Sequence, residues 1–437
     1  MELISWLGGR ERRRLARWIH AARNCGLTDL EPRLSFLGIT TLTGRSDDLR
    51  VRFEWHERAG GSRTGTTILI DGPSLVPLSL RPEGSGLYLE NRFAPREIQL
   101  GDENFDAQFY VRGPYVQVRA VLGEQARRRL GALLLEADIE ISNGELRARI
   151  PQSRDQEPPD PLLAGVLSRM LVAARRLRQP ADLVQRLAKN ARVDRHPGVR
   201  LQNLLTLVNE YRDDPATRAA LHRACADRTD EIRVRAATLL GDDGRNTLKE
   251  VAGAADAQDE WAARAITQLG SHISPKEILG RALHFRHPET VRACLANLGH
   301  GGWPEGVGAL VRVMTQERGG VLATLAAEAL GQTGMASTEP PLIEALAAGA
   351  PDLRLAAADA LARVGSATAV LPLKQAEARH EHEAAFRRAA RQAIAEIHAR
   401  TGGAPGQLSI ASASAGTLSL VDDERGQLSF EHPERHS

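Results

Sequence analysis

Aromatic residues are scarce in this chain: Phe, Trp and Tyr together make up 4% of its 437 residues. Aromatic side chains dominate the cores of many sheet proteins, so their scarcity favours a core of Ala, Leu and Val carried on helices. The length exceeds what one simple core supports and suggests two or three domains.

Cysteine, net charge and long apolar runs are also lacking. The three cysteines, Cys25, Cys225 and Cys294, are far apart and odd in number, which indicates buried thiols in a reducing compartment. The formal net charge of +2 supplies no global field that attracts nucleic acid or membrane. The sequence shows neither a bilayer-spanning run nor a signal peptide, so we expect a cytoplasmic protein with no transmembrane segment.

A phrase with helical spacing recurs through the second half of the chain, from "VRLQNLLTLV" and "IRVRAATLLG" to "FRRAARQAIA". The apolar residues that close the copies are separated by 33, 29, 29, 32, 31 and 33 residues. Those residues are Leu207, Leu240, Leu269, Leu298, Leu330, Leu361 and Ile394. The spacing predicts one helix in each copy, and Gly241, Gly270, Gly299 and Gly331 predict left-handed helix ends.

A second helix follows in most copies. "SPKEILGRALHF" shows it best, with Ser274 as the predicted N-cap and Pro275 as the first helical residue. A helical pair that repeats in this way predicts an α-solenoid. The phrases resemble HEAT repeats, in the short form also seen in phycobilisome-lyase-like proteins. The resemblance covers roughly residues 195–400 and implies a fold more than a function, because HEAT arrays serve unrelated tasks.

Residues 1–150 have a different pattern. An amphipathic helix, "RERRRLARWIHAARNCGL", precedes the alternating strand "DLRVRFEWHE" and the hairpin "IEISNGELRARI", whose predicted turn is Asn143-Gly144. We expect an α+β domain with a mostly antiparallel sheet over 1–150 and a Pro-rich linker over 151–161. An all-α, HEAT-like solenoid is expected over 162–402, with 161–190 as its first, atypical helical pair.

A flexible tail is predicted over 403–437, where Gly-x-Leu-Ser-apolar occurs three times at intervals of ten residues. The alternation of apolar residues with Ser in each copy is typical of a short strand that adds to an exposed sheet edge. The alternative is a low-complexity tail whose repeats have no function. The candidate motif residues are Leu408, Ile410, Leu418, Leu420, Leu428 and Phe430.

Catalytic motifs are absent from the sequence: it has no Gly-rich phosphate loop and no Gly-x-Ser-x-Gly elbow. "HEHE", His380 to Glu383, offers metal-capable side chains, but a solvated helix start explains them as well. His284 and His287 are expected to be structural. We therefore predict no catalytic residue, no metal and no cofactor.

Basic residues on the second helices form the predicted binding surface. In HEAT arrays the second helices line the concave face, while acidic residues here begin the first helices, so the inner face is mildly basic. Solubilisation of the helices is the alternative explanation. The candidates are Arg218, Arg223, Lys249, Arg281, Arg312 and Lys374.

The leading interpretation is a non-enzymatic scaffold of bacterial type that binds a protein partner, most simply an acidic segment, on this surface. The alternative is a nucleic-acid-binding HEAT protein, including a DNA-repair glycosylase-like enzyme. Such an enzyme needs a basic groove, a catalytic Asp and aromatic side chains, for which Trp261 and Trp303 are candidates. A HEAT-type lyase or hydroxylase is the third interpretation.

Overall fold

The computed structural model describes residues 9–34, 40–56, 65–83, 97–142, 144–151, 159–316 and 320–401. Contacts divide the chain into two compact units, Met1–Gly301 and Gly302–Ser437. Each unit is described by itself. As the sequence predicts, an N-terminal region with an antiparallel sheet precedes a helix-rich region.

In the described residues of the first unit, eight strands form one sheet, with the order β1-β2-β3-β4-β8-β7-β5-β6. Its paired strands are antiparallel. The predicted hairpin is present as β7 and β8, with Gly144 at φ +81° in its turn. The strands are β1 (Thr28–Leu34), β2 (Thr40–Ser46), β3 (Leu49–His56), β4 (Gly65–Asp71), β5 (Ser79–Pro82), β6 (Phe109–Arg112), β7 (Asp138–Ser142) and β8 (Glu145–Pro151).

Three helices cover the sheet and share its core. The N-terminal helix α1 packs on β2 and on α5, and α5 also contacts α4, β4 and β8. Trp18 of α1 is fully buried and stacks on Phe53 of β3, with ring centroids 5.7 Å apart. The helices of this region are α1 (Gly9–Asn24), α2 (Glu103–Asp106), α3 (Tyr115–Val121), α4 (Glu124–Leu134) and α5 (Asp160–Arg176).

Helix α5 therefore differs from the sequence expectation, which places it in the first pair of a solenoid. Leu163, Leu167 and Met170 belong to the same buried cluster as Trp18 and Phe53. The apolar stripe that the sequence shows in this segment is buried, but the sheet and helices α1 and α4 cover it.

Eight further helices complete the described part of the first unit. They alternate between first helices (α7, α9, α11 and α13) and second helices (α6, α8, α10 and α12). First helices stack on each other, as α9 does on α11 and α11 on α13, and α6 stacks on α8. The bounds are α6 (Leu183–Val193), α7 (Pro197–Glu210), α8 (Pro215–Ala224), α9 (Asp230–Leu240), α10 (Arg245–Gly253), α11 (Asp259–Leu269), α12 (Lys276–Phe285) and α13 (Pro288–His300).

Polar contacts join successive pairs at about one repeat length. Asp259, in the first turn of α11, accepts hydrogen bonds from the backbone N–H groups of Glu289 (3.0 Å) and Thr290 (2.8 Å) in α13. Asp230 of α9 accepts in the same way from Gln258 N–H, at 3.1 Å. Asp259 thus caps α13 and satisfies two backbone donors that this helix leaves free, while Asp230 binds the residue before α11.

Helix α3 of the sheet region takes the place of a first helix at the start of this stack. It packs on α6 and α7. The side-chain amide of Asn190 in α6 donates to the Arg119 and Ala120 carbonyls at 3.2 and 3.0 Å. Arg119 in turn donates to Thr206 Oγ1 of α7, at 2.7 Å. The first helical pair is therefore α3 with α6, from segments that lie far apart in the sequence.

A buried arginine fixes the sheet region to the first helices. Arg127 of α4 pairs with Asp102 at 2.7 Å and with Asp194 at 2.9 Å, and its side chain is 2% exposed. Nearby, the backbones of Gly101 and Gly198 touch so closely that a Cβ on Gly198 would lie 2.4 Å from the Gly101 oxygen. Removing one member of such a buried pair typically costs about 3–5 kcal/mol.

The described part of the second unit contains six helices. Helix α15 packs on α17 and α17 on α19, while α16 packs on α18. Arg354 of α17 pairs with Glu383, just before α19, at 2.5 Å. The helices are α14 (Pro304–Gln316), α15 (Val321–Gln332), α16 (Glu339–Ala348), α17 (Pro351–Val364), α18 (Ala367–Arg379) and α19 (Ala384–Thr401).

Some predicted helix ends are wrong. Gly241 (φ +62°) and Gly270 (φ +49°) end their helices in the left-handed region, as predicted. Gly299 and Gly331 instead lie inside α13 and α15. At Gly331 a Cβ would meet Ala360 Cα at 2.6 Å, so this glycine permits close packing of α15 on α17. Helix α12 begins at Lys276 with Pro275 as its N-cap, so Ser274 is not the N-cap and Pro275 is not the first helical residue.

Candidate functional site

Arginines on the first helices of the first unit are engaged in ion pairs. Arg200 of α7 binds both oxygens of Asp227, with its Nε at 2.8 Å and its Nη2 at 2.7 Å. Arg292 of α13 pairs with Glu289 at 2.8 Å. The first-helix arginines that are ion-paired in this way are Arg200, Arg233, Arg235, Arg264 and Arg292.

Basic residues on the second helices behave differently. Most are exposed and form no ion pair within the described ranges, and we name this set the second-helix cations. Arg218 is the exception among the predicted residues of this unit, because Asp243 binds it at 2.5 Å. The second-helix cations are Lys189, Arg192, Arg223, Lys249, Lys276 and Arg281.

The predicted binding residues do not all belong to one surface. Arg223, Lys249 and Arg281 lie on α8, α10 and α12 of the first unit and are exposed. Arg312 on α14 and Lys374 on α18 are exposed too, but they belong to the second unit. The candidate site described below therefore uses residues of the first unit alone.

A depression of about 360 Å³ lies between α6 and α8, at the loop that leads to α9. We name it the arginine pocket. Arg192 of α6, Arg223 of α8 and Arg228 of the loop are its exposed arginines. Its walls also include the Arg200–Asp227 pair and the small side chains of Ala188, Ala191, Ala220, Ala224 and Ala226.

The Arg200–Asp227 pair is rigidly held. Arg200 is 1% exposed, and its Nη1 also donates to the backbone carbonyls of Asp194 (3.0 Å) and Arg195 (3.1 Å). Burial alone would raise the pKa of Asp227, but hydrogen bonds from Arg200 and Thr229 together with the Arg200 charge lower it below its usual range. Asp227 is thus ionised and already occupied, so it does not neutralise Arg192 or Arg223.

A second cavity, of about 390 Å³, is also lined by Ala226 and Asp227 of this loop. His222, Cys225, Thr247 and Glu250 line it. Burial raises the pKa of the Cys225 thiol, which keeps the sulfur protonated near neutral pH and makes it a poor nucleophile. Glu250 pairs with Arg233 at 3.1 Å. This cavity therefore has neither the activated thiol nor the excess charge that would indicate chemistry.

The metal-capable side chains of "HEHE" are not arranged as a metal site. Glu383 binds Arg354 and lies 3.4 Å from His380 Nδ1, while Glu381 and His382 point into solvent. Over the described ranges, no three His, Cys, Asp or Glu side chains come together in a way that could hold a metal ion. The Glu383 carboxylate serves the contact between α17 and α19.

The two candidate aromatic residues of a glycosylase-like site are Trp261, on the first helix α11, and Trp303. Trp261 is 8% exposed, and the Cζ atoms of Arg235 and Arg264 lie 5.3 and 4.9 Å from its ring centroid. Trp303 is half-buried. His284 and His287 pack against the Phe285 ring, with ring centroids 4.9 and 6.1 Å apart.

The candidate tail motif lies outside the described residues, which end at 401. Leu408, Ile410, Leu418, Leu420, Leu428 and Phe430 therefore stay a prediction. No helix in the described ranges is both long and apolar enough to cross a membrane.

Comparisons with known proteins add little to this picture. No protein-family profile matches the chain, and a search of curated proteins found no match. Among solved structures, human deoxyhypusine hydroxylase in complex with glycerol matches with 19% sequence identity and a TM-score of 0.21. The match covers 49% of this chain and 96% of that chain. A TM-score this low carries no argument about fold or activity, so HEAT-like repeats are carried below as a proposal.

Proposed function

We propose that the chain is an adaptor whose paired helices form HEAT-like repeats, and that the second helices of the first unit bind an acidic segment of a partner protein. The contrast between the two helix sets carries the proposal. First-helix arginines are neutralised within the protein, whereas the second-helix cations are left for a partner. An unpaired cation can bind a carboxylate without first breaking an existing ion pair.

The spread of the second-helix cations favours a protein partner over nucleic acid. Six second-helix cations are spread over four helices, and the net charge of the chain is +2. Proteins that neutralise 6–10 phosphates concentrate positive charge in a dense stripe. The nucleic-acid interpretation is therefore the second candidate, and the salt dependence of DNA binding distinguishes the two.

Electrostatic contacts alone do not give a stable complex. Exposed ion pairs contribute about 0.5 kcal/mol each, so six of them supply roughly 3 kcal/mol, less than a millimolar complex requires. The partner segment must therefore also make apolar contacts with the first unit. The cations then determine specificity and the association rate.

Charge reversal tests the proposal. Arg223→Glu, Lys249→Glu and Arg281→Glu are combined in one variant of the full chain, and binding of a labelled acidic peptide is followed by fluorescence anisotropy. We expect the peptide to bind the native chain and its affinity to fall at least about tenfold in the variant, since attractive contacts become repulsive.

The matched control carries the same change in net charge elsewhere. Arg23→Glu, Arg128→Glu and Arg129→Glu alter exposed residues of α1 and α4, and we expect them to change peptide affinity less than about twofold. Equal losses in both variants would contradict the proposal. Tight binding of duplex DNA with a steep salt dependence would favour the nucleic-acid alternative.

A further inference from the structure

The arginine pocket is more strongly basic than the rest of the second-helix surface. Four arginines, Arg192, Arg200, Arg223 and Arg228, line it together with the single carboxylate of Asp227. The other second-helix cations, Lys189, Lys249, Lys276 and Arg281, are exposed and do not line this depression. Three of the four arginines are exposed, and they come from α6, α8 and the loop before α9.

The charge of the pocket can be summed. Four guanidinium groups and one carboxylate give 4 − 1 = +3. The pocket lies at the C-terminal ends of α6 and α8, and each helix dipole contributes roughly half a negative charge there. About two positive charges are left unbalanced. The helix dipoles therefore account for part of the arginine cluster but leave an excess.

This excess matches a phosphate monoester, which carries about −1.5 to −2 at neutral pH. A carboxylate or a phosphodiester carries one charge and would leave the pocket unbalanced. Guanidinium groups also present paired N–H donors that match phosphate oxygens in bidentate geometry. We propose that the arginine pocket binds a phosphorylated Ser or Thr side chain in the partner's acidic segment, an inference that rests on the proposed adaptor function.

The surrounding side chains suit such a ligand. Ala188 and Ala191 of α6 face Ala220 and Ala224 of α8 across the depression. Their small side chains leave room for a ligand between the two helices. Arg200 holds Asp227 at the back of the pocket. Arg192 and Arg223 form no ion pair within the described ranges, whereas Arg228 Nη2 donates to the Asp194 carbonyl at 3.3 Å.

The test uses the full chain and three labelled peptides of one sequence that carry phosphoserine, glutamate or serine at a single central position. We expect the phosphoserine peptide to bind about tenfold more tightly than the glutamate peptide. Arg192→Gln and Arg223→Gln should each abolish this preference. Arg218 lies on α8, as Arg223 does, but it is paired with Asp243. Arg218→Gln should therefore keep the preference for the phosphoserine peptide.

Lysine variants separate phosphate recognition from simple charge. Arg192→Lys with Arg223→Lys preserves the positive charge at both helix ends but removes the bidentate donors. We expect it to lose most of the preference for phosphoserine and to keep its affinity for the glutamate peptide. Thermal unfolding followed by circular dichroism checks that these substitutions of exposed residues leave the fold intact. If a glutamine variant does not fold, the lysine variant takes its place as the test of phosphate recognition.

Several outcomes would overturn the inference. Equal affinity for the phosphoserine and glutamate peptides would refute phosphate recognition and leave the adaptor function standing. Failure of both acidic peptides to bind would refute the two proposals together. Tighter binding of inorganic phosphate, a nucleotide or a 5′-phosphorylated oligonucleotide than of the phosphoserine peptide would show that a phosphorylated protein segment is the wrong ligand.

Discussion

Asp227 connects the packing of the helical pairs with the arginine pocket. Its carboxylate binds Arg200 through both oxygens and accepts the Thr229 backbone N–H at 2.9 Å, just before α9 begins. The same ion pair forms the back of the pocket. The packing and the pocket charge therefore depend on one carboxylate, and the effect of pH on it can be predicted.

Asp227→Asn should lower the free energy of unfolding at pH 7 by about 3 kcal/mol, because Arg200 would remain buried without its counter-charge. A carboxylate whose pKa is lowered by folding stabilises the protein above its unfolded pKa, and this contribution is lost as the pH falls through the lower, folded value. The difference between native chain and variant should therefore be constant from pH 7 to about 5 and shrink below about 4.

Urea unfolding at several pH values measures this difference. The matched control is Asp243→Asn, which removes the exposed pair with Arg218. Its effect on unfolding should be small at every pH, since exposed ion pairs contribute little to stability. A gap between native chain and Asp227→Asn that stays unchanged down to pH 3 would show that the Asp227 charge does not stabilise the fold.

Arg192 and Arg223 show what the sequence could and could not reveal about the site. Their positions differ by 31 residues, about one repeat length. The spacing alone therefore predicts that they occupy equivalent positions on successive second helices. Arg228 lies in a loop, and the pairing of Arg200 with Asp227 depends on how two repeats stack. Neither follows from local periodicity, so the sequence predicts only Arg223 among the residues of this pocket.

Helices α3 and α7 show how an element depends on its surroundings. The first helices were predictable because their apolar residues recur with helical spacing. Helix α3 is not predictable in this way, because its apolar residues Val116, Val118 and Ala120 alternate with polar residues as in a strand. It becomes helical where α6 and α7 pack on it, so tertiary contacts override the local pattern.

Helix α7 also depends on a backbone contact that only glycine allows. Gly198→Ala should lower the free energy of unfolding by about 1–3 kcal/mol, because the new Cβ would overlap the Gly101 backbone and force α7 away from the sheet region. Gly280→Ala is the matched control. Nothing lies within 4 Å of a Cβ at this position inside α12, so the same change should stabilise the chain by about 1 kcal/mol. Urea unfolding measures the change in the free energy of unfolding in both variants. Stabilisation by Gly198→Ala would disprove the close contact.

The first unit as a whole raises the question of where the chain divides into domains. The sequence predicts a boundary at 151–161, whereas contacts place Met1–Gly301 in one compact unit. Residues on both sides of the predicted boundary share a core: α5 covers the sheet, and α3 completes the first helical pair. Residues 152–158 lie outside the described ranges, so the boundary stays a prediction that fragments can test.

Fragment 1–301 should unfold in urea as one cooperative transition, and fragment 162–301 should be much less stable. The shorter fragment lacks α3, which covers α6 and α7, and it lacks Arg127, which neutralises Asp194 at 2.9 Å. Asp194→Asn is the control, because its effect on stability should differ between the two fragments. In 1–301 it breaks a buried ion pair and should destabilise by about 3 kcal/mol, whereas in 162–301 it removes a carboxylate without its partner and should be neutral or stabilising. If 162–301 unfolded at the same urea concentration as 1–301, the sheet region would be an independent domain, as the sequence predicts.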